Sequence, residues 1–269
     1  MPVRTPYVAG TFYPADPEEL REYCRSQLAT PRGPLIPKAL IVPHAGYVYS
    51  GKTACRVFDS VRIPNRILLI GPNHSGVGTK FSVMSSGQWG SPLGNVPIDE
   101  EFAHTLLAAS DDLSADESAH HLEHCLEVEV PFLQTKNPNI KIVPLVVGTL
   151  DLLSARAVAL ACGECLSKES EDPLLVVISS DMNHYEDDQT TRKKDAYAID
   201  AILNLDEGAL AKAVKEHRIT MCGFVPVYML LAMKKILGIH KATLIDYSTS
   251  ADASGDKSRV VGYAGFIFE

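Results

Sequence analysis

Short apolar segments bounded by turn residues recur along the chain, and most are continuously apolar rather than alternating with polar positions. A strand covered by helices on both faces of its sheet shows this continuous pattern. The pattern therefore predicts strands in a sheet that has helices on both sides. The segments are KALIVP (38–43), RILLIG (66–71), FSVMSS (81–86), IKIVPLVVG (140–148), PLLVVISS (173–180), ATLIDYS (242–248) and VVGYAGFIF (260–268).

Helical patterns lie between these strands, and the first helix is marked by Asp16 as a cap and Pro17 in the first turn. Strands that alternate with helices predict an α/β fold with a largely parallel central sheet flanked by helices. No long polar linker divides the chain, so we expect a single domain over 1–269. The remaining helices are expected over 52–60, 99–109, 118–135, 154–168, 191–203, 206–216 and 224–237.

The composition is that of an ordinary globular protein, with 46% hydrophobic and 22% charged residues among 269. A formal charge of −8 argues against nucleic acid as a partner, because neutralising phosphates requires a basic surface. No apolar run is long enough to span a bilayer, so no membrane association is expected. The first residues lack a secretory signal pattern, and we expect a cytoplasmic protein with reduced cysteines.

Ionisable side chains follow three of the predicted strands. His44 comes directly after KALIVP, His74 follows RILLIGPN, and LLVVISS leads into Asp181 and His184. In open α/β sheets, ligands bind beyond the carboxyl ends of the strands, where such loops converge. The shared placement predicts a metal site or an acid–base site built from these residues.

Cys222 is a further candidate ligand, because it precedes an apolar helix with Pro226 in its first turn. The dipole of a helix favours a thiolate at its N-terminus, whereas a buried structural cysteine is the alternative. A His/His/Cys set suits iron, copper or zinc, while magnesium and calcium prefer oxygen ligands.

The remaining histidines and the paired cysteines give weaker signals. His120 and His124 are four residues apart on one predicted helix face, but HExxH is absent, which argues against a zincin. Cys162 and Cys165 form a CxxC without a second pair, so we interpret them as buried helix residues. The histidines without a partner pattern are expected at the surface, and they are His104, His217 and His240.

Residues 46–53 match the phosphate-loop pattern GxxxxGK[ST] between a strand and a helix. Tyr47 and Tyr49 are bulky where a phosphate cradle favours small residues. An acidic partner is available in Asp246 or Asp181, so a nucleotide hydrolase stays open as an alternative. The nucleophile elbow GxSxG is absent, which argues against an α/β-hydrolase.

Seven ordered segments resemble the Memo family, the proteins called protein B of the AmmeMemoRadiSam system. The resemblance runs from about residue 8 to the C-terminus, and Lys52 and Thr53 lie outside the family's pattern, which weakens the phosphate-loop interpretation. The segments are AGTFYP (9–14), PHAGYVYSG (43–51), LLIGPNHSG (68–76), EHCLEVEVPFL (123–133), VPLVVG (143–148), SSDMNHY (179–185) and MCG (221–223).

The resemblance implies a fold similar to the class III extradiol ring-cleaving dioxygenases, which are non-haem iron enzymes. It implies a metal pocket lined by His44 and His74, with Cys222 in place of the glutamate that is the third ligand of the dioxygenases. Asp181 and His184 match an Asp-x-x-His element whose histidine handles protons, and we expect the aspartate to orient that histidine. A thiolate in place of a carboxylate favours softer or redox-active metals.

The resemblance also assigns residues to the edge of the same pocket. Glu123 and His124 match the family's Glu-His pair there, and Tyr47 belongs to the family's pattern and is expected in the pocket. His120 and His121 have no counterpart, which supports placing them at the surface.

Two function hypotheses from different classes follow. The first is a metal-binding protein that acts as a metal-dependent oxidoreductase on an unknown small molecule, with iron or copper as the expected ion and zinc as a further candidate. The second is a non-catalytic module whose pocket binds a peptide or a partner protein, with radical SAM and AMMECR-type proteins of the same system as candidates. Whether the chain is catalytic stays open.

Overall fold

A mixed β-sheet with helices on both faces forms the centre of the protein, whose computed structural model describes residues 2–28, 35–168 and 173–269. The strands are β1 (Val3–Arg4), β2 (Ala39–Val42), β3 (Arg66–Pro72), β4 (Phe81–Val83), β5 (Gln88–Ser91), β6 (Gly94–Pro97), β7 (Ser114–Ala115), β8 (Lys141–Val147), β9 (Leu174–Ser179), β10 (His184–Glu186), β11 (Ala242–Thr249) and β12 (Val260–Phe268). The helices are α1 (Pro17–Gln27), α2 (Lys52–Asp59), α3 (Glu100–Ala109), α4 (Ser118–His121), α5 (Val130–Lys136), α6 (Leu152–Lys168), α7 (Asp188–Leu203), α8 (Glu207–His217), α9 (Phe224–Met233) and α10 (Ala251–Ser254).

Parallel pairing governs the centre of the sheet, where β2, β9, β3 and β8 lie side by side in that order. On one side, β12 pairs antiparallel with β2, β10 and β11; on the other, β4 pairs antiparallel with β8 and parallel with β7. A short connection joins β11 to β12, which suits antiparallel strands, whereas parallel strands need a longer crossover. The predicted α/β fold is therefore confirmed, and the sheet is mixed, with a parallel centre that β12 and β4 flank in antiparallel pairings.

Alternate residues of the central strands enter two apolar clusters on opposite faces of the sheet. In β3, Leu68 and Ile70 join one cluster, whereas Ile67 and Leu69 join the other. Successive side chains of a strand point to opposite faces, so a strand that is buried on both faces is apolar throughout. This burial explains why the predicted strands were continuously apolar. Within the described ranges, no helix is both long and apolar enough to cross a bilayer.

The single helix predicted over 118–135 is interrupted. It consists of α4, a 3₁₀ turn over Glu127–Glu129 and α5, and residues 122–126 between them are not helical. The interruption turns the side chain of Glu123 inward, where it is fully buried and hydrogen-bonded to His74. The apolar periodicity of the segment concealed this break, because a buried turn and a buried helix share the same composition.

His120 corrects a second expectation, because its side chain is buried rather than at the surface. Its ring lies edge-on to Trp89, and its carbonyl accepts a hydrogen bond from Arg4 Nε at 2.9 Å. His121 is exposed, as expected. Because α4 is only one turn long, packing against the core around Trp89 decides which of its side chains face inward, and the polarity of those side chains does not.

The other minor expectations agree with the structure. His104 and His240 are exposed, and His217 is partly buried because its ring stacks on Tyr197 with the centroids 3.8 Å apart. Cys162 and Cys165 are buried in α6, where burial raises the pKa of Cys162 to about 12. A buried thiol of this kind is chemically inert, which agrees with a packing role for the CxxC.

A buried ion pair joins the N-terminal segment to the 3₁₀ turn Glu127–Glu129. Arg4 Nη1 donates to Glu127 Oε2 at 2.6 Å, and both side chains are about 1% exposed. The same carboxylate accepts the backbone N–H groups of Tyr7 and Val8 and the hydroxyl of Tyr13. One carboxylate thus holds the segment that precedes α1 and packs beside the histidines described below.

We expect Glu127→Gln to lower the free energy of unfolding by about 3 kcal/mol, because Arg4 then lies buried without a counter-charge. Chemical denaturation followed by circular dichroism measures this change. Glu216→Gln is the control, since Glu216 pairs with Lys212 at 4.0 Å between exposed side chains and should change stability by less than about 0.5 kcal/mol. Equal effects of the two substitutions would show that the buried ion pair stabilises the folded protein no more than the exposed pair does.

Candidate metal centre

The predicted ligands meet at the carboxyl ends of the central strands. His44 follows β2 and His74 follows β3, while Cys222 lies just before α9. One ligand atom from each of these three side chains lies within 4.8 Å of the other two. His44 is buried, Cys222 is half-buried and His74 is exposed, so the cluster opens to solvent on the side of His74.

His44 is held at three atoms. Its Nε2 lies 3.2 Å from the Sγ of Cys222, its Nδ1 lies 2.8 Å from the Oγ of Ser179, and its backbone N–H donates to Asp181 at 2.8 Å. Burial, together with the nearby histidines, lowers the pKa of His44 well below its usual value. The imidazole is therefore neutral, which is the form that binds metals.

His74 is oriented by a buried carboxylate. Its Nδ1 lies 2.8 Å from Glu123 Oε1, and its backbone N–H donates to the other oxygen. Burial alone would raise the pKa of Glu123, but the hydrogen bonds from His74 and Cys125 lower it to about 2. The ionised carboxylate fixes the proton of His74 on Nδ1 and leaves Nε2 free, an arrangement typical of metal-binding histidines.

His124 packs against both of these imidazoles. Its ring centroid lies 4.5 Å from that of His74 and 5.4 Å from that of His44, and Phe12 covers it at 4.9 Å. Burial lowers the pKa of His124 to about 4, although Glu123 acts in the opposite direction. His124, His74 and Glu123 form a second group of potential ligands within 4.8 Å, but the carboxylate of Glu123 is already engaged with His74.

Asp181 does not orient His184, contrary to the expectation. The carboxylate of Asp181 instead accepts the backbone N–H of His44, and burial raises the pKa of Asp181 to about 7. His184 donates its backbone N–H to the Thr220 hydroxyl, and its Nδ1 lies 2.8 Å from the Thr220 carbonyl. A carbonyl only accepts, so Nδ1 carries the proton and Nε2 is the basic atom. Asp181 is thus a support for the loop of His44.

A second set of hydrogen bonds, which the sequence did not reveal, holds Asn183 and Thr220, the residues on either side of this contact with His184. The side-chain carbonyl of Asn183 accepts the backbone N–H of Thr220 at 3.0 Å, and the backbone N–H of Asn183 donates to Asp195 at 2.8 Å. The other carboxylate oxygen of Asp195 accepts the Tyr247 hydroxyl. These partners lie far apart along the chain, so only the folded topology brings them together.

Tyr47 is a core residue and does not line the pocket. Its side chain is 5% exposed, its ring stacks on Phe132 with the centroids 4.4 Å apart, and its hydroxyl donates to the Val128 carbonyl. The preceding glycine loop turns the ring towards α1 and α5 rather than towards His44. The family pattern at Tyr47 therefore reflects packing.

The phosphate-loop segment forms no phosphate cradle. Its residues 47–51 are a π-helical turn that continues into α2. The backbone N–H of Tyr47 donates to Phe12, and those of Tyr49 and Ser50 donate to Gly46, so these groups are engaged within the protein. The hydroxyl of Thr53 donates to Asp246. A phosphate cradle requires free N–H groups, and the geometry disfavours the nucleotide-hydrolase alternative.

A cavity of about 270 Å³ opens beside Cys222. Pro72 and Val147 supply apolar surface, while Asn73 and Thr79 supply polar groups. The sulfur of Cys222 also accepts a hydrogen bond from the backbone N–H of Asp181 at 3.3 Å. A small molecule in this cavity would contact Cys222, which lines it.

On the other side of the cluster, the aromatic side chain of Tyr185 is exposed. Tyr185 has a φ of 65°, a strained value for a residue other than glycine, and it lies between the irregularly paired residues His184 and Glu186 of β10. Its ring centroid is 5.5 Å from that of His184. The strained backbone presents both rings at the mouth of the site.

Comparison with known proteins agrees with the geometry. A family model described as Memo-like protein matches residues 4–267. A MEMO1 family protein of Aquifex aeolicus is 44% identical over 270 residues, which cover 100% of both chains. A MEMO1 family protein of Methanobrevibacter smithii is 39% identical over 99% of this chain and 100% of its own. The chain belongs to the Memo family.

A solved structure shares the fold at low sequence identity. The uncharacterized protein JW3007 from Escherichia coli K12 aligns with a TM-score of 0.53 and 12% identity, covering 84% of this chain and 98% of its own. At this identity the likeness concerns the fold alone. It agrees with the α/β architecture that the sequence predicted.

The buried carboxyl of Asp195 makes stability depend on pH. Burial raises its pKa to about 7, so the folded state favours the protonated form. The stabilisation that the Asp195 carboxyl gives to the folded state is greatest below its unfolded pKa of about 4. This stabilisation falls by about 1.4 kcal/mol per pH unit as the pH rises towards 7. We expect Asp195→Asn to reduce the slope of the unfolding free energy between pH 4.5 and pH 7 by about this amount, while Asp181, whose pKa burial also raises to about 7, keeps its own contribution.

Asp111→Asn is the control for this experiment, because Asp111 is exposed. The control should leave the slope unchanged. A slope that is the same in wild type and in Asp195→Asn would mean that Asp195 is ionised in the folded protein over this whole range.

Proposed function

We propose that the chain binds one redox-active transition-metal ion through His44, His74 and Cys222 and is a metal-dependent oxidoreductase. The observation that carries the proposal is the convergence of one ligand atom from each of two imidazoles and one sulfur within 4.8 Å of one another. Iron or copper is the ion we favour, with zinc as a further candidate, because imidazole and thiolate ligands suit these metals.

The donor set fits such an ion. Each histidine has its Nδ1 bound to a buried partner, Ser179 for His44 and Glu123 for His74, so both Nε2 atoms are available. Partners of this kind fix the orientation of the ring, and their loss elsewhere weakens metal binding 10–100-fold. Burial raises the pKa of Cys222, and the N–H of Asp181 offers the sulfur one stabilising hydrogen bond.

In this proposal, His184 moves protons beside the ion. When bound, iron or copper supplies one-electron redox chemistry and Lewis acidity. His184 is held by Thr220 with its proton on Nδ1, and burial lowers its pKa, so Nε2 is free to accept a proton at neutral pH. Asp181 keeps the loop of His44 in place, and the cavity beside Cys222 admits a small substrate.

Metal analysis of protein prepared without oxygen tests the donor set. We expect about one equivalent of metal in wild type and a loss of at least 10-fold in affinity for His44→Ala and Cys222→Ala, since each removes a ligand. His184→Ala should keep full metal content, because its side chain lies outside the donor set. His240→Ala, which alters an exposed histidine, is the remote control. Equal metal content in all variants would defeat the assignment.

A partner-binding function is the second candidate, and exposed side chains at the mouth of the site favour it. Val48, Tyr49 and Tyr185 are 73%, 44% and 67% exposed. Radical SAM and AMMECR-type proteins are the partners that we would test. In size-exclusion chromatography of purified mixtures, a complex that survives His44→Ala but is lost in Tyr49→Ala and Tyr185→Ala would support this function. If the wild-type protein co-elutes with neither partner, the partner-binding function is rejected.

A further inference from the structure

Glu129 is a fully buried carboxyl behind His44, and the function proposed above does not use it. The residue ends the 3₁₀ turn Glu127–Glu129 and has no exposed surface. Its Oε1 lies 2.9 Å from the Oγ of Ser179, and among the described residues its Oε2 has no hydrogen-bond partner. Within the described ranges no cation is paired with Glu129, whereas Glu127 in the same turn is paired with Arg4.

The hydroxyl of Ser179 has three polar neighbours. Its Oγ lies 2.8 Å from the Nδ1 of His44, 2.8 Å from the carbonyl of Cys125 and 2.9 Å from the carboxyl of Glu129. A hydroxyl carries one proton and can accept two hydrogen bonds. All three contacts can therefore be hydrogen bonds only if two of the neighbours donate.

The identity of the donors follows from the chemistry of each neighbour. The carbonyl of Cys125 has no proton, so it takes the single proton of Ser179. His44 directs Nε2 towards Cys222, and its Nδ1 then carries the proton that Ser179 accepts. The remaining contact is a hydrogen bond only if Glu129 also carries a proton. With an ionised Glu129, either this bond or the bond to the buried carbonyl is lost.

We propose that Glu129 is a positioning residue that stays protonated and, through Ser179, holds His44 in the tautomer that presents Nε2 to the metal. This role rests on the proposed metal site. Complete burial raises the pKa of Glu129 well above its usual value, and the nearby Asp181 acts in the same direction.

The two histidine ligands are thus supported in opposite ways. An ionised carboxylate, Glu123, contacts His74 directly and strengthens it as a donor. A neutral acid reaches His44 through a hydroxyl and adds no charge. The neutral support keeps the centre from gathering a further negative charge beside the carboxylate of Glu123 and the sulfur that Cys222 would offer to the metal.

Two substitutions of similar size separate the possibilities. Glutamine donates an N–H where a protonated acid donates its O–H, so Glu129→Gln should bind Zn²⁺ within about twofold of wild type. Glu129→Leu removes the donor and should weaken binding 10–100-fold. Competition with a chromophoric chelator measures both affinities. A Glu129→Gln protein as weak as Glu129→Leu, or a Glu129→Leu protein as tight as wild type, would overturn the proposal.

Two spectroscopic readouts on the metal-free protein keep the test valid if Glu129→Leu does not fold. The infrared difference between wild type and Glu129→Gln should contain the carbonyl band of a protonated carboxylic acid at pH 7. Long-range proton–nitrogen correlation spectra should show the Nδ1–H tautomer of His44 in both proteins. Absence of the acid band, or the other tautomer in wild type, would refute the role of Glu129. Failure of wild type to bind iron, copper and Zn²⁺ alike would instead refute the proposed metal site, and these spectra would still report on Glu129.

Discussion

Parallel pairing of β2, β9 and β3 is the constraint on which the candidate centre depends. The register aligns Val42 with Ser179, so the loops that follow these strands leave the sheet at the same level. His44 then lies over Ser179, and Asp181 reaches back to the backbone of His44. The sheet therefore supplies both the ligand and the groups that hold it, without any contribution from local sequence spacing.

Much of this arrangement was predictable, because the relevant signal is carried by single strands. Continuous apolar segments revealed the central strands, and the polar residues at their ends indicated which side chains would converge. His44 and His74 were found in this way, Cys222 was found from its place before an apolar helix, and the family resemblance assigned the sulfur its place beside the two imidazoles. The antiparallel flanks were not found, since the direction of a strand leaves no mark on its composition.

The hydrogen-bond partners were beyond the sequence for a different physical reason. Ser179, Thr220 and Glu129 act through one atom each, and the geometry that selects that atom exists only after packing. Proximity in the motif also misled, because Asp181 lies three residues before His184 yet bonds to His44 on another loop. Tyr47 shows the converse, since a residue only three positions after a ligand along the chain is buried in the core.

The burial of the thiols has a practical consequence. All six cysteines lie within the described ranges, and five of them are buried, which leaves the sulfur of Cys222 as the one that solutes can approach. A mass-tagged alkylating reagent applied to the native protein would therefore mark a single position. A bound ion would shield that sulfur, so the extent of tagging gives a direct gauge of how many molecules in a preparation carry metal.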